Sequence, residues 1–131
     1  MTRLTDYEQL TGIKTALAAI PGVSTCKIGL EPNITADDYP IIRIVPSVIR
    51  PRNGRDFRRS EMEIIVYYGE LAQPFEAGGI EAQYQFLLDT ERAIMAAISP
   101  GAGWTARWRE TILDEDRQPG YKLFASRFVI D

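Results

Sequence analysis

The sequence predicts an α+β domain: two helices packed on one face of a mainly antiparallel β-sheet, in the order α-β-β-β-α-β-β. Three observations carry this expectation. Two segments place apolar residues at spacings of three and four, as helices do, and the segments between and after them are β-branched or alternate in period two. The elements are neither regularly alternating nor repeated, which separates them from a parallel α/β sheet. Finally, 131 residues that are 45% hydrophobic and 25% charged suit a single core. Residues 1–131 are therefore read as one domain.

The first helix is signalled by "TDYEQL", where Thr5 stands three positions before Glu8 as a capping box. Tyr7, Leu10, Ile13, Leu17 and Ile20 form an apolar stripe along a helix of about 15 residues, which Pro21-Gly22 ends. A strand is expected over residues 24–30, then a loop through "EPNITADDYP". "IIRIVPSVIR" and "SEMEIIVYYG" read as two strands flanking one charged tip, residues 49–60, with Asn53-Gly54 as a favoured tight turn. In the second of these strands Met62, Ile64, Val66 and Tyr68 share one face, while Glu61, Glu63, Ile65 and Tyr67 share the other. That pattern predicts a sheet with one core side and one partly covered side. A second helix starts near Gly79, with Ile80, Tyr84, Leu87, Leu88, Ile94, Met95 and Ile98 as its stripe and Glu91 interrupting it. "WTARWRETI" and "YKLFASRFVI" supply the last two strands, joined by the acidic turn "LDEDRQPG".

Composition removes several kinds of chemistry. The chain contains no histidine, which excludes Ser-His-Asp and Cys-His catalysis and histidine-bearing zinc sites. Its single cysteine, Cys26, has no internal partner and sits in "STCKIGL", which reads as a half-buried strand. Neither end carries an apolar targeting run and nothing is long enough to span a membrane, so the expectation is an intracellular protein with no membrane partner. Glycine-bearing stretches such as "GIEAQYQF" and "NGRDF" match no phosphate-binding fingerprint. No enzyme activity, cofactor or metal is expected.

The charge distribution is the most informative feature. Residues 50–59, "RPRNGRDFRR", carry five arginines against one aspartate, a local net of +4 in a chain whose formal net charge is −3. Like charges gathered at a loop tip repel by about 1 kcal/mol per close pair in water, so such a cluster is tolerated best where an anionic partner meets it. Arg50, Arg52, Arg55, Arg58 and Arg59 are therefore the candidate interaction residues. Their partner is either nucleic acid, touched at its phosphates, or an acidic patch on a second subunit. The run Asp114, Glu115 and Asp116 is a possible complement on a neighbouring copy. Asp37-Asp38 and that same run show no calcium-loop spacing and read as solvated turn charges. Trp104 and Trp108, four apart, are expected on one face of their strand, in the core or at a subunit interface.

An amphipathic opening helix ending in "AIPGV", a loop leading to "DDYPIIRI", an arginine-bearing hairpin, the strand "EMEIIVYYG", a long second helix and two closing strands form a sequence of elements. In order and length it resembles the tail terminator proteins of long-tailed bacteriophages, the minor tail protein U type. The resemblance covers nearly the whole chain, and its most telling segment is "DYPIIRIVP" followed about 20 residues later by the alternating strand ending at Gly69. It implies a non-enzymatic virion-assembly protein located in the tail and assembled in the bacterial host cytoplasm. Members form hexameric rings that cap the tail tube, stop its polymerisation and present the surface on which the filled head docks. The implied partners are further copies of the chain, the tail tube protein and a head-completion or connector protein, with non-specific contact to passing DNA. Under the resemblance the arginine tip faces either the ring lumen or the tube. A head-to-tail connector or closure protein, and a small nucleic-acid-binding module using the basic hairpin, are the alternative readings.

Overall fold

The computed structural model describes residues 5–29, 34–51, 60–71, 79–98, 103–113 and 121–131. Helix α1, Asp6–Ala18, starts at the expected capping box: Thr5 Oγ1 accepts from the Glu8 amide at 3.1 Å, and Glu8 Oε1 accepts from the Thr5 amide at 3.0 Å. Leu10, Ile13, Leu17 and Ile20 are buried. Tyr7 corrects the predicted stripe, because it is 68% exposed. Each step of three residues drifts about 60° around a helix, so two steps back from Ile13 leave Tyr7 about 120° from Ile13 and about 100° from the middle of the buried stripe. Gln9 is buried in the same turn instead. The helix also ends at Ala18, with Ala19 as its C-cap, two residues before the Pro21-Gly22 turn.

Strand β1, Thr25–Ile28, runs parallel to β2, Ile41–Pro51, and β3, Ser60–Leu71, returns antiparallel to β2. Helix α2, Gly79–Ile98, is followed by β4, Ala106–Ile112, and β5, Tyr121–Ile130. The sheet order is β1-β2-β3-β5-β4, so the last strand inserts between β3 and β4 and is antiparallel to both. The expected α+β class and element order hold. Two strand bounds differ from expectation. β1 is shorter than residues 24–30, because Gly29 at φ +90° turns the chain out of the sheet. β3 runs past Gly69, which lies inside the ladder opposite Ile41 on one side and Leu123 on the other.

Period-two alternation in β3 produces the two predicted faces. Met62, Ile64, Val66 and Tyr68 are buried beneath the helices with Ile42, Ile44, Phe124, Phe128 and Ile130. Helix α1 lies over β1 and β2, and α2 over β3. In α2 the stripe holds at Leu87, Ile94 and Ile98, whereas Leu88 is exposed, because it stands more than a quarter turn from the meridian that those three define. The opposite face of the sheet carries Glu61, Glu63, Ile65 and Tyr67, all partly covered, beside the buried Ile41, Arg43, Leu123, Ala125 and Val129. Tyr39 packs there against Ile41 and Leu123.

Candidate interaction surface

The pairing of β2 with β3 continues to Pro51 opposite Ser60, which confirms two strands flanking the arginine-rich tip. Arg50 is its described member. It is exposed, and its Nη1 lies 3.1 Å from Glu63 Oε2 of the same chain. Arg52, Arg55, Arg58 and Arg59, the Asn53-Gly54 turn, and the acidic residues Asp114, Glu115 and Asp116 lie outside the described residues.

Two more ion pairs occupy the helix-free face: Arg107 Nη2 with Glu61 Oε1 at 3.4 Å, and Arg127 Nη1 with Glu110 Oε1 at 3.6 Å. Arg107 reaches its partner from β4, with β5 lying between their strands. All three arginines stand well out in water, where such pairs contribute at most about 1 kcal/mol each. Their effect is to balance charge across the face rather than to stabilise the sheet strongly.

On the helix side, β4 forms the sheet edge beyond the helices. Trp108 lies opposite Phe128 on that side and is 57% exposed. Its ring is nevertheless anchored, since Nε1 donates to Thr111 Oγ1 at 3.0 Å. In a regular strand residues three apart face opposite sides, and the register irregularity between Trp108 and Glu110 brings Thr111 back to the side of Trp108. From Thr111 the chain of hydroxyls continues inward, 2.9 Å to Ser126 Oγ and a further 3.2 Å to Tyr68 OH. Burial pushes the Tyr68 phenol well above the ordinary tyrosine range; the Ser126 hydroxyl partly offsets this, and the Glu91 charge adds to the rise.

Trp104 packs against the core on this same side of the sheet, as expected of the pair, but it stands outside the strand. It precedes β4, donates from Nε1 to the Ile98 carbonyl at 3.0 Å, and packs on Gly12 of α1. A Cβ at Gly12 would stand 2.7 Å from its ring, so the absent side chain makes that contact possible.

Arg43 is the residue that sequence reasoning passed over. It sits fully buried on the helix-free face and donates from Nη1 to the Thr25 carbonyl at 3.2 Å, Thr25 Oγ1 at 3.0 Å and the Ile42 carbonyl at 2.9 Å. Alternation with Ile42 and Ile44 was signal enough for its face, but not for its burial. Cys26 is half-buried as expected, with burial raising its thiol despite Arg43 and Lys14 nearby. Asp38 accepts from the Thr35 amide at 2.8 Å, a bond that lowers its carboxyl and closes a short 3-10 turn at Ala36–Asp38. An open depression of about 310 Å³ beside the irregularity in β2 is lined by Pro46, Ser47, Val48 and Ile49.

Among the described residues no group of three or more His, Cys, Asp or Glu is placed to hold a metal ion, and no helix is long and apolar enough to cross a membrane. Comparison with protein-family models and with curated proteins finds no match to this chain.

Proposed function

We propose that this chain is a non-enzymatic virion-assembly protein, a tail terminator whose copies form a ring that caps the tail tube, stops its polymerisation and offers the head its docking surface. The observation that carries the reading is the β4 edge, where a tryptophan is both largely exposed and held in one orientation by Thr111. Rigid exposed aromatics are what contacts between proteins bury, because little side-chain entropy is lost when they dock. The α+β fold and its element order agree with the resemblance that suggested the family. Under this reading the partners are neighbouring copies, the tail tube protein and a head-completion protein, and passing DNA meets the arginine tip without being read.

A closure protein between head and tail is the second reading, favoured by the same exposed edge. Imaging phage tails assembled with and without this chain separates them. Tails of unregulated length, or tails lacking heads, in its absence support the terminator. Normal tails on particles that fail to retain packaged DNA point to the closure station, and normal infectious particles overturn both.

A further inference from the structure

Tyr7 and Trp108 are the two most exposed aromatic side chains among the described residues, and they lie at opposite edges of the sheet. Tyr7 is seven positions, close to two turns, before Lys14, whose carbonyl accepts from Cys26 Sγ of β1 at 3.7 Å. That side of α1 therefore overhangs the β1 edge, while Gly12 on the other side meets Trp104. Trp108 belongs to β4, the opposite edge.

Their flanking charges differ in sign. Asp6 and Glu8 bracket Tyr7, and Arg107 and Arg109 bracket Trp108. The rest of each edge keeps the asymmetry. Around β1 the acids Asp6, Glu8, Asp37 and Asp38 outnumber Lys14 and Lys27, and along β4 the two arginines outnumber Glu110. The hydrogen bonds from Thr5 lower the Glu8 carboxyl below its ordinary value. Arg109, at the irregularity of β4, is exposed and has no ion-pair partner among the described residues.

We infer that the β4 edge, through Trp108 and Arg109, docks on the α1 start of a second copy, through Tyr7 and Glu8. One aromatic covers the other, and the Arg109 guanidinium approaches the Glu8 carboxylate. Two identical β4 edges set face to face would oppose arginine to arginine, and two α1 starts would oppose carboxylates, so the charges select a head-to-tail contact over a two-fold one. Head-to-tail contacts propagate from copy to copy and close into rings or run on as filaments. This inference rests on the proposed ring and names its two contact surfaces.

The test uses blocked halves. Tyr7→Arg removes one surface and Trp108→Glu the other. The wild-type chain is expected to self-associate in light scattering, and each variant alone to associate about tenfold more weakly or worse, as loss of a central aromatic anchor does. Mixing the two variants leaves one intact pair of surfaces and is expected to give a one-to-one dimer that grows no further. Circular dichroism and thermal melting verify folding, and Arg109→Glu replaces Trp108→Glu if the latter does not fold. A wild-type chain that stays monomeric at its highest soluble concentration overturns the inference, as does a mixture that stays monomeric. Wild-type rings indifferent to all three substitutions overturn these surfaces while leaving the tail reading intact. Tails and particles that are normal without the chain overturn the tail reading, whatever the mixing shows.

Discussion

The guanidinium of Arg43 donates to both the carbonyl oxygen and the hydroxyl of Thr25, tying β2 to the short parallel strand β1 by a side chain as well as by the ladder. With four residues, β1 has little backbone pairing of its own. Arg43→Ala leaves these acceptors unsatisfied and opens a cavity, and is expected to cost about 2–4 kcal/mol in urea unfolding. Hydrogen exchange in β1 is expected to rise more than in β5.

Gly69 admits no side chain. A Cβ there would collide with the Lys122 carbonyl oxygen and the Leu123 side chain. Gly69→Ala forces β3 from β5 in mid-sheet and is expected to destabilise by about 3 kcal/mol. Gly29 is the control, with nothing near a built Cβ but a φ of +90°. Gly29→Ala is expected to cost about 1–2 kcal/mol from backbone strain alone.

Gln9 is fully buried, and neither Nε2 nor Oε1 meets a hydrogen-bonding group among the described residues. Gln9→Met keeps its length and removes both polar atoms. Thermal unfolding is expected to show a gain of about 1 kcal/mol.

The fold favours the neutral form of Tyr68, since its phenol ionises above the ordinary tyrosine value. Above about pH 10 an unfolded tyrosine loses its proton while the folded one keeps it, so stability falls as pH rises through that window until the folded value is passed. Tyr68→Phe removes this dependence. Its stability is expected to be lower by about 1 kcal/mol at neutral pH, from the lost hydroxyl bond, and to decline less steeply between about pH 10 and 11 than that of the wild type.

Arg50, with its side chain 56% exposed, pairs with the partly covered Glu63. Arg50→Ala is expected to change stability by less than about 1 kcal/mol, and by less still in high salt. Under the proposed tail role, a larger loss in tail assembly than in stability would mark Arg50 as a contact residue.

The helices were legible because their signals are local. The Thr5–Glu8 capping box needs three residues of separation, and the α2 stripe needs only a 3.6-residue period. Tyr7 was misread because spacings of three drift around a helix, and the stripe alone does not say where the sheet beneath it ends. The spacing of Trp104 and Trp108 placed both on the helix side, but it could not say that β4 begins only after Trp104, nor that Trp104 is covered by α1 while Trp108 stays exposed.

By itself the sequence determined the α+β class, the order of seven elements, the two faces of β3 and the polarised charge, all of which follow from composition and short-range periodicity. Tertiary structure decided which strands became neighbours, and with that the burial of Arg43, the anchoring of Trp108 and the pairing of Arg50 with Glu63. Each of these joins residues at least three apart through the sheet's register or its irregularities. Register is set by the whole core at once, as the helices and strands bury their apolar faces together.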